Sequence, residues 1–232
     1  MSARSGSSQS FPIGPVLLVG LLLGAALATA PLPARLPAVS EHIYWYLGRS
    51  AGFVAYWLLF VSIVMGLAVS SRFFDGLLGR PWVFEVHKFV SVFVLVAMTF
   101  HVLILLPDPY ANFRLSELFV PFDSHYRPAA VALGIFTFYG SALVSASFYF
   151  KGIIGQNGWR LAHYATFALF LGALAHGLWA GTDGGKTVVQ ASYLASGLAV
   201  LFLTFFRVLA TRASGTAKVK PKTAAAVAAS EA

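Results

Sequence analysis

Apolar residues dominate this chain in long blocks rather than at helical or strand spacing, and polar positions gather in the short stretches between those blocks. Six blocks approach or exceed the roughly 20 residues a helix needs to cross a hydrocarbon core of about 30 Å. They are Phe11 to Ala30, Ala51 to Ser70, Phe84 to Leu106, Ala129 to Phe150, Trp159 to Leu178 and Val188 to Val208. The pattern predicts an all-α membrane protein, a bundle of six transmembrane helices. The spans occupy most of the chain and leave no room for a separate soluble domain. Three regions follow: a helix and loop over 1–40, a membrane core over 41–210 and a tail over 211–232.

The first span has a second reading. Its weakly charged start, the apolar run Val16 to Ala28 and Ala28-Thr29-Ala30 also resemble a signal peptide. Pro31, directly after that cleavage position, argues for retention as a helix. Either choice delivers residue 31 to the outside, so the remaining topology is unchanged.

Composition agrees with the pattern. Of 232 residues 58% are hydrophobic and 10% charged, against about 25% charged in an ordinary soluble domain. There is no Cys. Disulfides, a thiolate nucleophile, an iron–sulfur cluster and a cysteine-attached haem are therefore excluded.

The net charge of +8 reads as topology. With the N-terminus inside, Arg4, Arg72, Arg80, Lys88, Lys151, Arg160, Arg207, Arg212, Lys218, Lys220 and Lys222 lie on the cytoplasmic face. Only Arg35, Arg49, Arg114, Arg127 and Lys186 lie outside, matched by Glu41, Asp108, Glu117, Asp123 and Asp183. Both termini are thus expected in the cytoplasm of a multi-pass protein of the plasma (inner) membrane. Lipid is its surrounding partner, and nucleic acid is not expected. The tail from Ala213 carries no aromatic residue and no apolar face, so disorder is expected there. The outer segment Pro107 to Pro128, with four prolines and Phe113, Leu118, Phe119 and Phe122, is expected to form a partly ordered cap.

Ionisable residues inside a spanning helix are costly, which makes them functional candidates. Four histidines lie there: His87 and His101 in the third span, His163 and His176 in the fifth. Their spacings of 14 and 13 residues correspond to about 21 and 20 Å along a helix. Both spans run inward to outward, so the four match level for level, one pair near each face. Paired imidazoles are common axial ligands of haem iron, and two of them saturate the metal and favour electron transfer. A 14-residue step falls about 40° short of four turns, so His87 and His101 share a face. A 13-residue step misses by about 140°; a distortion near Gly172, or approach from different sides of the helix, would reconcile it. Two alternatives stand beside haem: histidines hydrogen-bonded within a bundle, and an all-histidine zinc or copper site. His42 and His125 lie in outer segments, where an imidazole either meets an acceptor or a metal or is simply solvated. The five tryptophans lie mostly near span ends, as interfacial anchors do.

The stretches His87-Lys88 to Phe100-His101, Trp159-Arg160-Leu161-Ala162-His163 to Ala175-His176-Gly177, and Leu47-Gly48-Arg49-Ser50-Ala51-Gly52 resemble the ferric reductase-like transmembrane domain. That group includes ferric reductases, NADPH oxidases and the haem subunit of periplasmic methionine sulfoxide reductase. The likeness covers Glu41 to Val208. It implies two haem b groups, His87 with His163 holding the inner one and His101 with His176 the outer, and places Arg49 near the outer haem and the electron acceptor. Electrons would cross from a cytoplasmic or quinol donor to ferric iron, oxygen or a protein outside. No FAD or NADPH domain follows the sixth span, so the chain would be an oxidoreductase component served by a separate flavin reductase or quinol. A second reading is the haem-binding membrane subunit of a two-component reductase with a periplasmic acceptor protein. A third is a non-redox histidine-containing transporter or scaffold.

Overall fold

A computed structural model describes residues 42–71 and 79–230. The expected first helix and Arg72 lie outside the described residues. Six helices follow one another: α1 (Ile43–Ser71), α2 (Arg80–Ile104), α3 (Leu115–Phe119), α4 (Pro128–Ser147), α5 (Lys151–Ala180) and α6 (Thr187–Ser230). Five of them, all except α3, are long and apolar enough to cross a membrane. This is the architecture of an integral membrane protein, all-α among the described residues.

Helix starts and stops follow local chemistry. Pro81 and Pro128 occupy the first turns of α2 and α4, where a missing N–H costs nothing. Pro107 stands just beyond the end of α2, and Gly181 caps α5 in an extended conformation. Several helices begin earlier than the hydropathy blocks. α1 opens eight residues before Ala51, because the aromatic run Tyr44-Trp45-Tyr46 is as compatible with helix as the apolar run after it. α5 likewise begins at Lys151, and its first turns meet the rest of the helix at Gly155, whose φ of 73° and ψ of 167° only glycine adopts readily. The backbone of α6 continues as helix to Ser230. Alanine-rich sequence has the highest intrinsic helix propensity even where it offers no face to pack.

α1 lies antiparallel along α2, α4 lies antiparallel along α5, and α6 closes the bundle mainly against α1. The two histidine-bearing helices, α2 and α5, have little backbone contact with each other. The core runs through Tyr56, Leu59, Val94, Met98, Phe170 and Tyr193, with Phe170 only 1% exposed. Leu143, Ile153, Leu161, Leu201 and Phe202 point outward, as a lipid-facing surface requires.

One end of the bundle, the loop end, is covered by residues 105–127. Asn112, Phe122 and Arg127 hold positive φ in or beside this segment, at 45°, 70° and 42°. A bulky residue such as Phe122 adopts that conformation only where its surroundings dictate it, at a cost of about 1–3 kcal/mol. The surroundings are specific. Tyr139 Oη donates to the Phe119 carbonyl at 2.8 Å, Tyr126 Oη donates to the Ala180 carbonyl at 3.1 Å, and the Arg127 guanidinium donates to the Trp179 carbonyl. The segment is an ordered cap built around α3.

Candidate functional site

The four intramembrane histidines meet in two pairs. The rings of His87 and His163 have centroids 6.2 Å apart, and those of His101 and His176 6.4 Å apart. Two imidazoles on opposite sides of one metal, with nitrogens about 2.0 Å from it and ring centres about 1.1 Å further back, stand about 6.2 Å apart centre to centre. The centroid separation of each pair matches that value.

Three of the four rings are seated by the same device. His101 Nδ1 donates to the Gly48 carbonyl at 2.8 Å, His87 Nδ1 to the Ser62 carbonyl at 2.9 Å, and His176 Nδ1 to the Ala130 carbonyl at 2.8 Å. In every case a glycine follows the accepting residue by four positions: Gly52, Gly66 and Gly134. A Cβ there would lie 3.0 Å from His101 Cε1, 3.3 Å from His87 Cε1 and 2.6 Å from His176 Cε1. The carbonyl at one turn and the bare glycine at the next form a slot one imidazole wide. The 14-residue step from His87 to His101 on α2 is answered by a 14-residue step from Gly66 back to Gly52 on α1. A donated Nδ1–H leaves Nε2 with its lone pair free, the form in which imidazole binds a metal.

His163 is seated differently. Its ring stacks on Trp159, with centroids 5.1 Å apart and planes 26° apart. Here the 13-residue step takes effect. The only non-helical residue inside α5 is Gly155, outside the interval from His163 to His176. No distortion near Gly172 absorbs the mismatch, so the two histidines leave α5 from different sides and only His176 reaches the carbonyl-and-glycine slot of α4.

Next to each pair lies a buried donor with no hydrogen-bond partner. At the loop end it is Arg49 Nε, and at the other end Trp159 Nε1, beside His163. Arg49 sits on Trp45, its guanidinium carbon 4.0 Å from the ring centre, and forms an ion pair with Asp183. Asp183 also pairs with Lys186 at 2.8 Å, so this cluster keeps one net positive charge. Buried donors are seldom left unsatisfied, and these two could meet acceptor groups of a bound molecule.

The loop-end pair opens into a cavity of about 380 Å³, which holds His101, His176 and Arg49 in one wall system with Phe53, Tyr56, Phe138 and Tyr193. Its outer boundary is the cap, through Asp108, Phe113, His125 and Tyr126. Hydropathy and charge counting identify Asp108, Glu117 and Asp183 only as topology charges. The spacing match between Gly52–Gly66 and His87–His101 is the signal that could have revealed the slots. Among the described residues no group of three or more His, Asp or Glu converges to hold an ion. The histidines act in twos.

No family model, curated protein or solved structure matches this chain.

Proposed function

We propose that this protein is a dihaem b membrane protein that carries electrons across the bilayer, from a cytoplasmic or quinol donor to an acceptor at the outer face. The observation that carries the reading is the level-matched pairing of His87 with His163 and of His101 with His176, at ring separations suited to one metal each. On this reading the loop end is the outer face.

The residues fit the group. A porphyrin needs imidazole nitrogens, an apolar slot and donors for its carboxylates; both levels offer an imidazole pair and an orphaned donor, and the loop-end level adds a cavity with small and aromatic walls. His87 with His163 and His101 with His176 would hold the groups, and haem, when bound, would supply a one-electron iron centre. The chain's own contribution is orientation. The Ser62, Gly48 and Ala130 carbonyls fix the tautomer and ring orientation of His87, His101 and His176. Arg49 Nε and Trp159 Nε1 stand ready for propionate oxygens. Between the two levels Phe170 packs against Tyr56, with centroids 5.6 Å apart, in the driest part of the core. Water and loose protons are thereby kept out of the interior.

A pyridine haemochrome assay with a reduced-minus-oxidised spectrum tests the reading. Two haem b per chain with low-spin bands is the expected result. A chain that binds no haem under reconstitution returns these residues to the status of bundle histidines.

A further inference from the structure

The cap holds a catalytic-type dyad that histidine pairing does not use. Glu117, on α3, is fully buried at 0% exposure. It accepts four hydrogen bonds: from the Arg114 backbone N–H at 2.8 Å and guanidinium at 3.4 Å, and from the His125 Nδ1 at 2.8 Å and backbone N–H at 3.0 Å. These donors hold the carboxyl well below its usual range, at about 2, with the Arg114 N–H the largest cause. An ionised carboxylate accepts and cannot donate, so His125 must carry its proton on Nδ1. Nε2 is then the atom free to exchange a proton. The His125 side chain is 52% exposed yet lines the same cavity as His101 and His176. It therefore touches both water and the chamber.

The chamber has a second unsatisfied group. Asp108 is 2% exposed; its Oδ1 accepts from the Tyr110 N–H at 2.9 Å, and its Oδ2 is buried without a partner. The other charged groups are already committed. Arg49 and Asp183 pair with each other, and Arg114 is held by Glu117 with its side chain 75% exposed. A phenol seldom gives up its proton at neutral pH, whereas imidazole is the side chain whose chemistry suits exchange there. His125 is the group around this chamber suited to proton exchange at working pH.

We propose that His125, oriented by Glu117, is the proton-transfer group of the loop-end chamber and that the chamber serves an oxidant taking up a proton together with each electron, of the quinone class. This inference rests on the electron-carrying reading above. The step balances: His125 first takes a proton at Nε2 from outer water, the oxidant gains one electron from the reduced protein and that proton from the imidazolium, and His125 returns to its neutral Nδ1–H form.

The test uses single-turnover reoxidation of the prereduced full chain in liposomes, by menadione, which takes protons, and by ferricyanide, which takes only electrons. His125→Gln should slow the menadione reaction by about a hundredfold. It should leave the ferricyanide reaction unchanged. The wild-type menadione rate should rise as pH falls through the imidazole range, and the variant's should be flat. Glu117→Gln should fall between the two. Equal slowing with both oxidants would make His125 a structural element of the cap and overturn the proposal; so would no slowing with either. A second measurement needs no haem: in chain labelled with ¹³C at histidine, the His125 titration should shift in Glu117→Gln, and an unmoved titration rejects the dyad. Failure of the wild type to bind haem sinks the electron-carrying reading, whereas failure of the menadione contrast sinks this one alone.

Discussion

Gly134 lies where no side chain can be tolerated beside the ring of His176: a Cβ at this position would stand 2.6 Å from Cε1, well inside van der Waals contact. The equivalent distance is 3.0 Å at Gly52 against His101 and 3.3 Å at Gly66 against His87. The three contacts form a graded series. Gly134→Ala should displace His176 and lower haem content from two towards one per chain, Gly52→Ala should act on the same level less severely, and Gly66→Ala should be nearly silent. Haemochrome stoichiometry on the three variants checks the order. An inverted order would separate the glycines from ligand seating.

Removing ligands should separate the two levels. His101→Ala or His176→Ala should take away the loop-end haem and leave the other, while His87→Ala or His163→Ala should do the reverse. On the dihaem reading the two histidine levels, about 20 Å apart along the helix axis, would each hold one haem, so loss of either should stop transmembrane delivery. Redox titration resolves the surviving component. Four variants that all retain two haems would mean that the ligands are elsewhere.

Phe170 is the most buried large side chain of the core, packed on Tyr56 and Phe60. Its replacement by alanine removes a ring and leaves a cavity that the helix backbones cannot close. Phe170→Ala should destabilise the bundle by about 3–5 kcal/mol. Thermal unfolding in detergent should register this as a lower midpoint, and a variant as stable as the parent would show that the core collapses onto the gap.

Acid should loosen the cap before it affects the rest of the bundle. The Glu117 carboxyl is lowered from 4.5 to about 2, chiefly by the Arg114 N–H. A depressed carboxyl contributes its full stabilisation above its unfolded value and loses it as pH falls towards the folded one. The window therefore lies between about pH 4.5 and 2. Hydrogen exchange in residues 105–127 should accelerate across that window, and Glu117→Gln should show the fast exchange at neutral pH with no further acid response. Acid-insensitive protection of the cap in the parent chain would remove Glu117 from this role.

The one-dimensional pattern was sufficient for everything that depends on the solvent a segment meets. Five apolar helices, their order and the equal depths of His87 with His163 and His101 with His176 follow from hydropathy and a rise of 1.5 Å per residue. Arg49, which the resemblance associates with the outer level, lines the same cavity as His101 and His176. Helix ends were less legible, because aromatic and alanine-rich flanks extend a helix without extending the apolar block, as at Ile43 and beyond Val208. What depends on facing surfaces needed the tertiary structure. The antiparallel register of α1 and α2 alone sets Gly48 and Gly52 around His101 and Ser62 and Gly66 around His87, since a carbonyl four residues before a glycine occurs widely in helices and becomes a slot only when a ring is opposite. The same holds for Glu117, Asp108 and Asp183. Along the chain they balance outer cations, and only the tertiary structure makes Glu117 a fully buried acceptor, leaves Asp108 Oδ2 buried without a partner and sets Asp183 against Arg49.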